Sequence, residues 1–164
     1  MDKPSSLRET LTKALPALKK DPQKLAIFVT GGRIIHTGTD TLSFEYAYTL
    51  RALLLDYTGH ADAVMAPLVW WMKQHQPEAF DTPERRARAI RFEVEYLNAK
   101  AMDLQIDLEL TEAVLSRPRS GGPAGALNLI HKPEPPPPLA ILQAEHWEVW
   151  LRDEKLATWE YAPR

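Results

Sequence analysis

The sequence predicts an α+β domain, an antiparallel or mixed β-sheet carrying two amphipathic helices, with a C-terminal β-hairpin beyond a proline-rich linker. Three observations carry this. Apolar residues recur at helical spacing in two segments and alternate with polar residues along several others. A stretch then follows, residues 116–138, that holds seven of the chain's 14 prolines and three of its seven glycines.

The first helix is predicted from Ser5 onward, where Leu7, Leu11, Leu15 and Leu18 share a stripe and Arg8, Glu9, Lys13, Lys19 and Lys20 fall elsewhere. Pro16 has no amide hydrogen for the helical ladder, so the helix is kinked or ends there, before Asp21-Pro22. The β-rich run from Leu25 to Thr30 is followed by Gly31-Gly32 and by Arg33-Ile-Ile-His-Thr37, which predicts a hairpin turning at the glycines. Leu42, Phe44, Tyr46, Tyr48 and Leu50 then alternate with polar or small residues as one long strand. Its end, Leu53-Leu-Leu55, is apolar on both faces and predicts a sheet covered on both sides at that point.

Asp62 is the expected cap of a second helix, with Val64, Leu68, Trp71 and Met72 on one face, Pro67 just inside its start and His75-Gln-Pro77 closing it. A polar stretch from Glu78 to Arg88 leads into two more alternating runs, Ile90 to Tyr96 and Met102 to Leu110, joined at Asn98-Ala-Lys-Ala101 by a hairpin-length turn. The predicted order is helix, three strands, helix, two strands. It sets a domain at 4–115, a Pro/Gly-rich linker at 116–138 and a hairpin tail at 139–164. The tail is aromatic: Trp147-Glu-Val-Trp-Leu151 and Leu156-Ala-Thr-Trp-Glu-Tyr161 flank Arg152-Asp-Glu-Lys155. A two-residue turn at Asp153-Glu154 would place Trp147, Val149 and Leu151 on one face and Trp150 on the other. A lone hairpin is marginal in water, so this one needs a surface to lie on.

The chain has 164 residues, the size of one domain, and a formal net charge of −2. That charge supplies no broad field for nucleic acid or an anionic membrane. Cysteine is absent, which excludes disulfides and thiolate metal sites. Met1-Asp-Lys-Pro4 does not read as a signal peptide and no apolar run is long enough to span a bilayer, so a soluble, unsecreted protein without a membrane partner is expected.

Chemistry-bearing patterns are sparse. Asp56, His60 and Asp62 could supply metal ligands, but the turn and cap roles of those residues account for them, and His36, His75, His131 and His146 form no ligand spacing. Gly31-Gly32 lacks the lysine and further glycines of a phosphate loop. Glu93 and Glu95, like Asp103, Asp107 and Glu109, alternate with apolar residues as the solvent face of a sheet does. No catalytic, cofactor-binding or metal-binding residue is assigned, and an enzyme is not expected. Arg85, Arg86 and Arg88, with Arg91 nearby, form the one basic cluster; Glu84, Glu93 and Glu95 dilute it, which favours a protein contact or a solvated face over nucleic acid. Trp147, Trp150, Trp159 and Tyr161 are the other candidates for an interface, since such rings anchor many of them, though a small satellite core would use the same residues.

These residues in this order resemble the tail completion protein R family of contractile-tailed phages. The resemblance rests on Lys3-Pro-Ser-Ser-Leu-Arg8, Lys20-Asp-Pro22, Ile27-Phe-Val29, Leu42-Ser-Phe-Glu-Tyr46 with Tyr48-Thr-Leu50, and Asp56-Tyr-Thr-Gly59. It continues through His75-Gln-Pro77, Asp103-Leu-Gln-Ile106, Leu110-Thr-Glu112, and Glu134-Pro-Pro-Pro-Pro138 followed by the aromatic tail. No single motif is diagnostic; their collinearity is the specific signal. The Gly-rich Ser120-Gly-Gly-Pro-Ala-Gly125 and a hairpin without Asn-Gly depart from the family pattern. The resemblance implies a tail terminator-like fold, a hexameric ring at the head-proximal end of the tail, and no catalytic residues. It implies as partners tail tube subunits, sheath subunits or both, and other completion or connector proteins at the head-tail junction, with the virion tail as location and host cytoplasm during assembly. A head-tail connector touching the portal or DNA is the competing reading, supported by the arginines alone.

Overall fold

The two longest alternating runs lie side by side at the centre of the sheet. β2 (Phe44–Tyr57) pairs antiparallel with β4 (Met102–Pro118), placing Leu50 opposite Leu108 and Leu54 opposite Leu104. This computed structural model describes residues 1–133 and 146–160. β1 (Leu25–Ile35) adds to the free side of β2 and β3 (Ile90–Tyr96) to that of β4, giving the order β1-β2-β4-β3 with every pair antiparallel. β5 (Leu127–His131) pairs with the far end of β4, from Val114 to Pro118.

Alternation decides the faces. Tyr48, Leu50, Ala52 and Leu54 of β2 and Leu104, Ile106, Leu108 and Leu110 of β4 are buried on one side. Against them lie α1 (Lys3–Ala14), through Leu7, Leu11 and Ala14, and α3 (Ala61–His75), through Val64, Leu68, Trp71 and Met72. Each Leu, Ile, Val or Met among them contributes about 1.5–3 kcal/mol on removal from water before entropy is counted. The opposite face carries a bidentate pair, Arg51 Nε and Nη2 donating to the two Asp107 oxygens at 2.7 Å each. The guanidinium hydrogen bonds hold the Asp107 carboxyl below its usual range against the opposing effect of burial.

Several expectations are corrected. β1 runs unbroken through Gly31 and Gly32, with only a bulge at Thr30, and the chain reverses after Ile35 instead. Gly32 is needed for contact: a Cβ there would lie 3.0 Å from the Tyr48 Cβ. The helix after β2 is capped by His60, whose Nδ1 accepts the Asp62 amide, so Asp62 sits in the first turn. Pro67 lies well within that helix, where it has no N–H for the Ala63 carbonyl. Leu55 is exposed, so the second face of the sheet is open at that point.

Pro16 does not kink one helix but begins another, α2 (Pro16–Lys20), after an extended Leu15. The polar stretch after α3 forms a 3-10 turn (Pro77–Phe80) and a further helix, α4 (Pro83–Ala89), which Thr82 caps by accepting the Arg85 amide. The expected linker is regular over much of its described part. β4 extends to Pro118, and residues 119–126 turn back to β5 with Gly121 and Gly125 at positive φ. Residues 134–138 lie outside the described residues.

Candidate interaction surfaces

The tail is a hairpin, β6 (His146–Leu151) and β7 (Glu154–Glu160), with Trp147 opposite Trp159. Its turn is Arg152-Asp153, one residue earlier than expected, with Arg152 at positive φ, and Leu156 of β7 is the extra residue of a bulge opposite Val149 and Trp150. β7 lies on α1 and α3, so the hairpin docks on its own chain. Trp159 is 5% exposed, with its ring centroid 5.8 Å from that of Trp70 of α3 and 6.2 Å from the parallel ring of Trp147. Trp150 points away and is 53% exposed. Tyr161 lies outside the described residues.

Around Trp150 the outer face of the hairpin is charged. Glu148 accepts from Lys155 Nζ at 2.7 Å and from the Trp150 indole N–H at 2.9 Å, and the Lys155 ammonium sits 5.4 Å from the Trp150 ring centre. These donors, Lys155 first, bring the Glu148 carboxyl down to about 2. His146 lies 3.0 Å from a Glu160 oxygen and 3.4 Å from one of Glu148, and both carboxylates raise its pKa.

The arginines are partly occupied within their own segment. Arg86 Nε donates to the Phe80 carbonyl at 2.8 Å and Arg85 to that of Glu78 at 3.3 Å, closing the turn that precedes α4. Arg88 and Arg91 approach the two oxygens of Glu109 at 4.0 and 3.8 Å. Arg85 and Arg88 line a cleft of about 620 Å³ with Arg33, but Glu45, Glu78 and Glu109 line it too, so it is a cleft of mixed charge.

Two groupings had no signal in the linear sequence. Buried Lys3, at the start of α1, reaches the His75 carbonyl, Gln76 Oε1 at 2.8 Å and the Thr111 carbonyl at 2.7 Å. Beside it Trp71 donates to Ser6 Oγ at 3.0 Å, and that hydroxyl lies 3.2 Å from His75 Nε2. His131, expected to stand apart, lies with Asp2 and Glu112, its Nδ1 3.8 and 3.5 Å from their oxygens. Three such donors could hold a metal ion. Glu112 is 6% exposed, however, and already accepts the Asp2 amide at 2.7 Å and the Tyr48 hydroxyl. Fastening α1 and β5 to β2 accounts for the cluster. Asp56 does not join His60 and Asp62; its amide donates to Asp103 at 2.8 Å and its own φ is positive.

Exposed apolar residues gather at the sheet edges: Phe28, Val29, Ile34 and Ile35 on β1, Phe92 and Tyr96 on β3, and Leu127, Leu129 and Ile130 on β5. Among the described residues no helix is long and apolar enough to cross a membrane.

The family model for P2 phage tail completion protein R (GpR) matches residues 1–135. Tail completion protein R of Escherichia phage P2 is 35% identical over 160 residues, covering 98% of this chain and 99% of the relative. No solved structure matches. With α1 to β5 inside the family match and a relative aligned nearly end to end, the chain belongs to the tail completion protein R family, structural proteins of the phage tail that act in its assembly.

Proposed function

We propose that this chain completes the tail at its head-proximal end, capping its polymerisation as a ring, hexameric as in tail terminators, and presenting a new surface to which the head joins. Family membership over 1–135 carries the reading. A cap must match the last ring of the polymer on one side and differ from it on the other. Two unlike surfaces on this subunit support that role: the hairpin around Trp150 and the charged open face of the sheet around Arg51 and Asp107. One would meet tube or sheath subunits and the other the completion or connector proteins of the junction, during assembly in the host cytoplasm.

The test is to add purified protein to tails assembled without it. Electron microscopy should then find added density at one end, tails held at a fixed length, and heads joined to them. Tails that keep elongating and still accept heads would rule the reading out.

A further inference from the structure

We infer that the free edge of β1 pairs with the free edge of β3 in a second copy of this chain, so that one sheet continues from subunit to subunit. The inference deepens the ring reading above and rests on it for closure into a ring.

β1 and β3 end the sheet on opposite sides. Tracing the register across it, Val29 faces Leu50, Leu50 faces Leu108, and Leu108 faces Ile90; likewise Leu25, Leu54, Leu104 and Val94 form one row. The two edges are therefore level, and they run antiparallel to each other. A copy rotated about an axis along the strands would bring its β3 beside β1 in the antiparallel sense without an axial step, the condition for a closed ring and not a helix.

The edges are also chemically suited. A free strand edge is ordinarily blunted by charge, proline or a covering segment, because its amides and carbonyls invite another strand. Past Leu25, whose carbonyl already accepts from Arg8 at 2.8 Å, β1 carries none of these as far as Val29, and Phe28 and Val29 are exposed. On β3, Phe92 is 61% exposed although it shares the face that carries the buried core. Level pairing would set Ile27 beside Phe92 and Val29 beside Ile90 on that face. On the other it would set Phe28 beside Arg91 and Ala26 beside Glu93. The segment from Pro22 to Thr39 contains Lys24 and Arg33 and no acidic residue, whereas β3 carries Glu93 and Glu95 against Arg91. Apolar residues thus meet apolar ones on one face, and on the other the Phe28 ring meets the Arg91 guanidinium, a favourable aromatic–cation pair.

The absence of native cysteine makes cross-linking unambiguous. Full-length Phe28→Cys and Arg91→Cys proteins, mixed and treated with a short bis-maleimide, should give a cross-linked dimer that neither gives alone. Phe92→Lys, at a side chain 61% exposed in the free chain, should weaken self-association about tenfold in analytical ultracentrifugation while leaving the circular dichroism of the free chain unchanged. A dimer from Phe28→Cys alone, no cross-link in the mixture, or a monomer at every concentration would each overturn the inference. The ring reading would survive if tail ends still acquired rings without this cross-link. The capping function would fail separately, if cross-linked rings formed but tails kept growing.

Discussion

The side-chain amide of Gln76 takes the place of a strand beside Thr111. β3 pairs with β4 only as far as Leu108 and β5 only from Val114, which leaves a gap along that edge. Gln76 Oε1 fills part of it by accepting the Thr111 amide at 2.9 Å, while Lys3 Nζ donates to the Thr111 carbonyl at 2.7 Å. A helix terminus, a strand and the start of the chain are held together at one point.

Gln76→Leu should therefore destabilise the protein by about 1–3 kcal/mol, the cost of leaving a buried donor unpaired while keeping the volume. Urea unfolding followed by far-ultraviolet circular dichroism would measure it. A shift below about 0.5 kcal/mol, the usual range for surface substitutions, would mean that water takes over the role.

The hairpin should respond to pH on both sides of a window. Glu148 is held down at about 2 by Lys155, Trp150 and His146, so its contribution is present above the ordinary Glu range and is lost as pH falls towards 2. His146 is raised by Glu160 and Glu148, so its contribution is full below the ordinary His value near 6.5 and fades as pH rises through the raised value. The outer network should be tightest between about pH 4.5 and 6.5. Trp150 fluorescence in a chain with the other tryptophans replaced by phenylalanine would follow it. His146→Gln should flatten the alkaline limb alone, and Glu148→Gln should flatten the acid limb while only weakening the alkaline one, because Glu160 still holds His146 up.

Trp159 gives a test of how the hairpin is held. The indole N–H groups of Trp147 and Trp159 are buried with no hydrogen-bond partner among the described residues, so docking depends on apolar area and ring contacts. Trp159→Ala should lower stability by about 3–5 kcal/mol, as emptied aromatic sites do. Trp159→Phe should be milder, since it removes an unpaired donor along with part of the ring. Thermal unfolding of both variants checks the order; equal losses would point to the indole N–H having a partner.

What was legible in the sequence was what periodicity controls. The runs of β2, β3 and β4 and the stripes of α1 and α3 each carry one strong period, and the antiparallel α+β layering follows from them. Gly31-Gly32 misled because a glycine pair signals a turn by its freedom, whereas here Gly32 serves the close approach of Tyr48. α4 was missed although Thr82-Pro83-Glu84 carries a helix-start signature, because its arginines hide any apolar stripe. The Lys3, Gln76 and Thr111 contact brings together parts of the chain up to 108 residues apart, and no local pattern encodes it. For the candidate surfaces, alternation correctly separated Trp147 from Trp150. It did not reveal that Trp147 and Trp159 would pack on the same chain, because that depends on where α1 and α3 leave room.

Trp150 is where fold and function can be separated. Its ring is held from outside the core, by the indole bond to Glu148 and the ammonium of Lys155, and truncating it removes none of the contacts that seat the hairpin on α1 and α3. An exposed, oriented indole beside a matched pair of charges has the character of an interface anchor. Trp150→Ala should leave the unfolding midpoint nearly unchanged. It should weaken ring formation or attachment to tail ends by about 2 kcal/mol per interface, the scale of a hot-spot residue. Thermal unfolding of the free protein and titration of tail ends, run on the same preparation, decide the matter. Lower stability with normal attachment would assign Trp150 to the hairpin alone.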